Sequence, residues 1–171
     1  MKKLLLVVDM QYDFLDGALA NPSAQAIVPD MCEFIGKWND DICFTEDTHD
    51  EYYLNTPEGE KLPIPHCIEG TKGQEVQNDI IIKAMGTDGE VFFVKKSTFG
   101  YDRWDTLRLN EKYEEIVICG TCTDICIVSN ALILKALYPN IKITIKKDLC
   151  AGLSAHEEAL KVMQMCQCDV E

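Results

Sequence analysis

A cysteine, a pair of lysines and an aspartate each follow a short apolar run of the sequence. They are Cys126, Lys95 with Lys96, and Asp9. A cysteine attacks a carbonyl carbon as its thiolate, and formation of the thiolate is helped by a nearby cation and by a group that takes the proton. A lysine and an aspartate supply these two functions, so the residue types predict nucleophilic catalysis. Each residue alone also has a structural interpretation, as a buried thiol, a solvated strand end and a turn residue.

A second group of residues has the chemistry of metal ligands. Asp47-Thr-His49 places a carboxylate and an imidazole at i and i+2, which face the same side of an extended chain, and His66 follows in the same loop-like region. Two histidines and one aspartate suit zinc, iron or manganese, with positions left open for water or substrate. The alternative is that Asp47, His49 and His66 only brace the loop through hydrogen bonds.

The segment around the candidate nucleophile has the pattern of a strand, a tight turn and a helix start. It reads Cys119-Gly-Thr-Cys-Thr-Asp-Ile-Cys126, in which Gly120 permits a sharp exit from the strand. A cysteine near the first helical turn is expected to have a lowered thiol pKa, and the backbone N–H groups there can hold an oxyanion. A redox pair formed by Cys119 and Cys122 is the alternative. Zinc binding by these cysteines is disfavoured because no second pair has suitable spacing.

The elements that must position these residues form an alternating series. Buried strands are predicted for five apolar runs: Leu4–Val8, Ile42–Thr45, Val91–Val94, Ile116–Cys119 and Ile141–Ile145. Helices are predicted for five stretches between and after them: Ala24–Trp38, Gln74–Met85, Asp105–Asn110, Asp124–Leu137 and Ser154–Cys166. This order predicts a mostly parallel sheet with helices on both faces.

Ligands of open parallel sheets bind beyond the carboxyl ends of the strands. Asp9, Asp47 with His49, Lys96 and Cys126 all follow such ends, so they are expected to converge at one rim. The stretch between Asp47 and Gly73 lacks periodicity, and a loop of that length in a compact domain is usually functional.

Composition limits the class of protein. The chain has 171 residues, 47% hydrophobic and 26% charged, and a net charge of −13. These values predict one globular domain over 1–171, with no nucleic-acid partner and no association with anionic membranes. No apolar run approaches a membrane span, and Leu4–Val8 is too short for a signal peptide. Nine cysteines, an odd number without a secretory signal, predict a cytoplasmic protein rather than a disulfide framework.

Three motifs together resemble the isochorismatase-like cysteine hydrolases, the superfamily that includes the nicotinamidases. They are Val7-Val8-Asp9-Met-Gln11-Tyr-Asp13-Phe14, Lys96-Ser-Thr-Phe-Gly100 and Gly120-Thr-Cys-Thr-Asp-Ile-Cys126. The resemblance covers essentially the whole chain and implies a three-layer α/β/α sandwich. It implies a catalytic triad of Asp9, Lys96 and Cys126, and it favours Lys96 over Lys95.

The resemblance also implies how the site works. A cis peptide is expected before Cys122, and the backbone N–H groups of Cys122 and Cys126 are expected to form an oxyanion hole. Asp9 would accept the thiol proton, the thiolate would attack a carboxamide carbon, ammonia would leave, and water would cleave the thioester. Phe14 is expected to form part of the substrate wall, although core packing is an equally simple role for it.

The metal-ligand pattern resembles that of nicotinamidases but departs from it twice. Nicotinamidases usually have another His six residues after the first, where this chain has Asn55, and they often have an aromatic residue where this chain has Pro63. The first change removes a ligand, and the second removes part of a stacking wall for a pyridine ring. A divalent metal on Asp47, His49 and His66 therefore remains a hypothesis, and no organic cofactor is expected.

The sequence thus predicts a cysteine hydrolase that cleaves a small carboxamide to an acid and ammonia, with nicotinamide as the first substrate to test. The family resemblance suggests a homo-oligomer. Two alternatives remain: an isochorismatase-type vinyl ether hydrolase, which needs no thiol, and a non-catalytic binding or redox protein on the same fold.

Overall fold

The computed structural model describes residues 2–171 and contains one six-stranded sheet. The strands are β1 (Lys2–Val8), β2 (Asp41–Asp47), β3 (Val91–Lys96), β4 (Tyr113–Thr121), β5 (Lys142–Ala151) and β6 (Asp169–Val170). Their spatial order is β3-β2-β1-β4-β5-β6, and every neighbouring pair is parallel. The predicted α/β fold with a mostly parallel sheet is therefore confirmed.

Within the described range 2–171, seven α-helices surround this sheet. They are α1 (Tyr12–Leu15), α2 (Pro22–Ala26), α3 (Val28–Ile35), α4 (Pro57–Lys61), α5 (Asn78–Met85), α6 (Val128–Leu137) and α7 (His156–Met165). Crossovers between parallel strands are right-handed. Because the strand order runs outward from β1 in one direction and from β4 in the other, α3 and α5 lie on one face of the sheet and α6 and α7 on the other. The two pairs are in mutual contact, which gives the three layers that the sequence predicts.

The core lies on both faces of the central strands. Leu4–Val8 of β1 are fully buried, which explains why this run is apolar without alternation. The strand sits between β2 and β4, with Val7 opposite Phe44 on one side and Cys119 on the other. The order of strands reverses between β1 and β4, so the crevice beyond their carboxyl ends is where a ligand site is expected.

Several predicted elements have different bounds in the structure. The helix predicted over Ala24–Trp38 is two helices, α2 and α3, because Pro29 stands in the first turn of the second and cannot continue a preceding helix. The helix predicted over Asp105–Asn110 is two short 3₁₀ turns, Trp104–Leu107 and Leu109–Glu111. The helix predicted from Asp124 begins instead as a π-helical turn over Thr123–Ile127 and continues as α6.

The region between Asp47 and Gly73 contains more structure than its sequence indicates. A 3₁₀ turn over Tyr53–Asn55 leads into α4, whose first turn is capped by the Thr56 hydroxyl, which accepts from the Gly59 N–H at 3.0 Å. This short helix folds over the rim of the sheet. Within residues 2–171, no helix is long and apolar enough to cross a membrane.

Candidate active site

The nucleophile candidate, the lysine and the aspartate meet at the carboxyl edge of the sheet. Lys96 Nζ lies 2.7 Å from Asp9 Oδ2 and 3.8 Å from Cys126 Sγ. All three residues are buried, and the side chain of Lys96 is 1% exposed. Lys95, the neighbouring candidate, points outward and pairs with Glu69 at 2.7 Å. The rim that the sequence predicts thus brings together Asp9, Lys96 and Cys126 and leaves Lys95 out.

Asp9 is held in a sparsely populated backbone conformation. Its φ of 49° lies in the left-handed region, which non-glycine residues seldom adopt outside constrained sites. The Thr45 hydroxyl donates to Asp9 Oδ1 at 2.6 Å and fixes the carboxylate. The other oxygen, Oδ2, forms the ion pair with Lys96 and has no well-aligned hydrogen bond within residues 2–171, so it keeps a lone pair for a proton.

Cys126 lies inside the π-helical turn that follows β4. Gly120 has φ 123°, and a Cβ at this position would lie 2.1 Å from the Val8 carbonyl oxygen, so only glycine allows β4 to pass so close to β1. The expected cis peptide is present between Thr121 and Cys122. Asn130 on α6 donates from Nδ2 to the Cys126 carbonyl at 2.8 Å and anchors the turn.

The protonation of these groups differs from the sequence-based expectation. A lowered thiol pKa was predicted for Cys126, and this is wrong for the protein without metal or substrate. Burial raises the pKa of the Cys126 thiol well above its usual range, and the negative charge of Asp9 adds to the rise while Lys96 opposes it. The thiol is therefore neutral at rest.

Burial outweighs the neighbouring charges in setting the pKa of Asp9, whereas the neighbouring charges outweigh burial in setting the pKa of Lys96. Burial raises the pKa of Asp9, and Lys96 opposes this only in part. Burial also disfavours the ammonium of Lys96, but the carboxylate of Asp9, together with that of Asp47, more than compensates and raises its pKa. The site at rest therefore holds a charged lysine beside a carboxylate with raised proton affinity, which suits a base that takes the proton of a thiol during attack.

A second cluster lies beside the first. Asp47 Oδ2 is 3.0 Å from His49 Nε2 and 3.4 Å from His66 Nε2, and Asp47 Oδ1 is 3.3 Å from Lys96 Nζ. Ligand atoms of these three residues all lie within 4.8 Å of one another. The structure thus brings together the three predicted metal ligands, and Lys96 joins them to the thiol.

The donor set fits a divalent first-row metal. His66 Nδ1 donates to the Ile64 carbonyl at 2.8 Å, which leaves Nε2 as the ring nitrogen that faces the cluster. Burial opposes ionisation of Asp47, but hydrogen bonds from His49 and His66 lower its pKa, so the carboxylate is charged. One anionic oxygen and two imidazole nitrogens are donors that zinc, iron and manganese accept.

Glu58 is a site residue that the motifs did not reveal. Its Oε1 lies 3.8 Å from His49 Nε2 and 3.9 Å from His66 Nε2. It is carried by α4, which lies within the 47–73 region that the sequence predicts to be a loop. The available signal was the N-cap pattern Thr56-Pro57 followed by an acidic residue, which predicts a helix start within the 47–73 region.

Gln11 also positions the cluster of Asp47, His49 and His66, although in the sequence it appears only as part of the motif that contains Asp9. Its side chain is buried, donates to the Asp47 carbonyl at 2.8 Å and accepts from the Asp47 N–H at 2.8 Å. A third bond goes to the Gln74 carbonyl at 2.7 Å. The amide thus fixes the end of β2 from which Asp47 projects.

A cavity of about 340 Å³ opens over Cys126. Its wall is mainly apolar and is formed by Phe14, Leu19, Leu62, Phe99, Ile125 and Leu153, with Asp47, Glu58 and His66 at one side. The Phe14 ring is 5.7 Å from that of His66, so Phe14 both closes the core and faces the cavity. A larger cavity of about 530 Å³, which His49 lines, shares Glu58 and Phe99 with it but does not include Cys126.

Comparison with known proteins gives a family and several similar structures. The isochorismatase domain model matches residues 3–170. A nicotinamidase/pyrazinamidase of Mycobacterium tuberculosis (strain ATCC 25618 / H37Rv) is 25% identical over 99% of this chain and 97% of its own length. A pyrazinamidase/nicotinamidase from Streptococcus mutans UA159 has a TM-score of 0.83 at 27% identity, with 99% of both chains covered. A pyrazinamidase of Pyrococcus horikoshii in complex with zinc has a TM-score of 0.79 at 25% identity, covering 100% of this chain and 99% of that one.

Proposed function

The chain belongs to the isochorismatase domain family, and on this basis we propose that it is a nicotinamidase-like cysteine hydrolase, which converts a small carboxamide to the acid and ammonia. Similar proteins named nicotinamidase and pyrazinamidase support the reaction class. The observation that carries the proposal is the position of the Lys96 ammonium between the Asp9 carboxylate and the Cys126 thiol, at 2.7 and 3.8 Å.

The reaction follows from the charges of these groups. As Cys126 Sγ attacks the carboxamide carbon, its proton passes to Asp9 Oδ2, and Lys96 stabilises the negative charge that moves between them. The oxygen of the tetrahedral intermediate is held by the backbone N–H groups of Cys122 and Cys126. Asp9 then protonates the leaving nitrogen, and ammonia departs.

The second half of the reaction uses the same base. The acyl group is now held as a thioester on Cys126. Asp9, again ionised, takes a proton from water, and the resulting attack on the thioester carbon releases the acid. The proton on Asp9 returns to the sulfur, which restores the neutral thiol of the resting state.

We further propose that Asp47, His49, His66 and Glu58 hold a divalent metal ion. Zinc in the Pyrococcus horikoshii protein supports a metal in this family, and the donors of this chain suit zinc, iron or manganese. A bound ion supplies a Lewis-acidic anchor for a heteroatom at the side of the cavity. Glu58 takes the role of the ligand that Asn55 does not provide.

The experiment that tests the function is ammonia release from nicotinamide and pyrazinamide. Cys126→Ala and Asp9→Asn should each lower the rate by at least about a thousandfold, because nucleophile and base are lost. Cys119→Ala is the matched control, since it removes an equally buried thiol from β4. Full activity of Cys126→Ala would refute the mechanism, and loss of activity in Cys119→Ala would favour a redox pair instead.

We infer that the chain is one domain over 1–171. We also infer that it works in a reducing compartment such as the cytoplasm, because all nine cysteines are free thiols. A homo-oligomer is proposed from the family resemblance. Size-exclusion chromatography with light scattering tests it.

A further inference from the structure

Leu153 is an exposed apolar side chain at the mouth of the cavity. It is 60% exposed and follows β5 in the short connection to α7. It lines the cavity together with Cys122, Ile125 and Cys126. A leucine in this position presents an apolar surface to whatever lies above the thiol.

The connection that carries Leu153 is bound to the nucleophile segment by a carboxylate. The two oxygens of Asp124 accept from the Leu153 N–H at 3.0 and 3.2 Å, and one of them accepts from the Ala155 N–H at 2.9 Å. Although burial opposes ionisation, these N–H groups lower the pKa of Asp124. The carboxylate stands two residues before Cys126, so it fixes the distance between wall and nucleophile.

Two further bonds hold the same connection. His156 Nδ1 lies 2.9 Å from the Thr123 hydroxyl, which ties the start of α7 to the π-helical turn. Asn21 donates from Nδ2 to the Gly152 carbonyl at 3.2 Å, and it directly follows Ala18–Ala20, which line the opposite wall. Both walls of the mouth are thus joined to each other and to the segment that carries Cys126.

We propose that Leu153 is a specificity-determining residue that limits how far a substrate ring extends toward the β5–α7 connection, and that Asp124 is the positioning residue that holds it there. The inference rests on the proposed function. The residues described as lining this cavity include no lysine or arginine that would pair with a carboxylate on the ring.

The test compares nicotinamide with quinoline-3-carboxamide, the same amide with a fused benzene ring. Leu153→Ala should raise the ratio of kcat/KM for the fused amide over nicotinamide by about tenfold or more, since removal of an apolar wall of this size is worth that much discrimination. Asp124→Asn should move the ratio in the same direction by a smaller factor, mainly through KM. Leu137→Ala, which truncates an exposed leucine on α6, is the matched control and should leave the ratio unchanged.

The same comparison is made by equilibrium binding of both amides to Cys126→Ala protein with and without Leu153→Ala, so that it does not depend on turnover. The role of Leu153 is refuted if the ratio for Leu153→Ala equals that for Leu137→Ala. It is also refuted if neither amide binds. An Asp124→Asn variant that loses activity equally on both amides overturns the positioning role. If Leu153→Ala changes the binding of the two amides as expected but no ammonia is released from either, the role of Leu153 is supported and the proposed function is refuted.

Discussion

At the scale of single residues, the central feature is a thiol that stays neutral until substrate arrives. Burial and the charge of Asp9 keep the pKa of Cys126 high, although Lys96 lies 3.8 Å from the sulfur. A nucleophile of this kind is generated by its base within the reaction and is not stored as a thiolate. The sequence showed the residues of this group but not the balance of their charges, because burial is a property of the packed fold.

The first prediction concerns Asp9→Asn. The substitution removes the negative charge that raises the pKa of Cys126 and leaves Lys96 free to pair with sulfur, so the thiol pKa should fall. We expect this variant to lose amidase activity and yet to react with iodoacetamide at pH 7–8 several times faster than the unmodified protein. Mass spectrometry of labelled Cys126 measures the rate, with the exposed Cys166 as internal reference. Slower labelling across this pH range would contradict the expected fall in the pKa of Cys126.

The second prediction concerns Glu58→Gln. Loss of one anionic donor should weaken binding of Zn²⁺ or Mn²⁺ by about 10- to 100-fold, the usual effect of removing a group that supports a metal site. Competition with a chelating dye measures the dissociation constant. Glu60→Gln is the control, because it neutralises an exposed carboxylate on the same helix, α4. Equal affinities of the two variants would remove Glu58 from the ligand set.

At the scale of elements, the sequence predicts the central strands and the meeting of the site residues at the carboxyl edge of the sheet. It does not predict the shortest helices and strands. Leu4–Val8 lies between two neighbours and is apolar at every position, so its pattern identifies it directly. Strand β6 has two residues and α1 has four, and neither length carries a periodic signal. Glu58 was missed for the same reason, since α4 is a helix of only five residues.

The third prediction tests how α1 positions the segment that carries His66, one of the proposed metal ligands. Asp13 on α1 accepts from the Cys67 N–H at 2.7 Å, next to His66, and from the Ala18 N–H at 3.1 Å. Cys67 has φ 47°, a left-handed conformation that this bond helps to hold. Asp13→Asn should lower metal affinity about tenfold and stability by about 1–2 kcal/mol. Urea denaturation and metal titration measure the two effects.

A matched control separates the hydrogen bond of Asp13 from the loss of a negative charge. Asp16 is exposed at the end of α1, and Asp16→Asn should change neither quantity appreciably. If Asp13→Asn retained full metal affinity while losing stability, the residue would be structural only, and His66 would be positioned by the Ile64 carbonyl and the surrounding packing alone.

At the scale of the whole molecule, the two functional clusters depend on strands from both halves of the sheet. Asp9 directly follows β1, Asp47 ends β2 and Lys96 ends β3, while Cys126 follows β4. Their geometry therefore depends on the register of the sheet across the point where strand order reverses. Side chains that join strands at the opposite, amino-terminal edge are expected to stabilise the same register.

Glu115 on β4 is such a side chain, and it provides the last prediction. It pairs with Lys3 of β1 at 2.7 Å and with Lys142 of β5 at 3.1 Å, and it accepts from the Thr144 hydroxyl at 2.6 Å. Although burial opposes ionisation, these partners lower its pKa from 4.5 to about 2. Because the pKa in the folded state is the lower one, the stabilisation is complete above pH 4.5 and disappears as the pH falls toward 2.

Glu115→Gln should therefore reduce the free energy of unfolding by about 1–2 kcal/mol at pH 7, as expected for lost hydrogen bonds to a charged group. The difference from the unmodified protein should shrink between pH 4.5 and 2, since Glu115 itself becomes neutral there. Urea denaturation at a series of pH values measures this, with Glu158→Gln on the exposed face of α7 as control. A difference that is constant over the whole range would mean that Glu115 stabilises the sheet through packing and not through its charge.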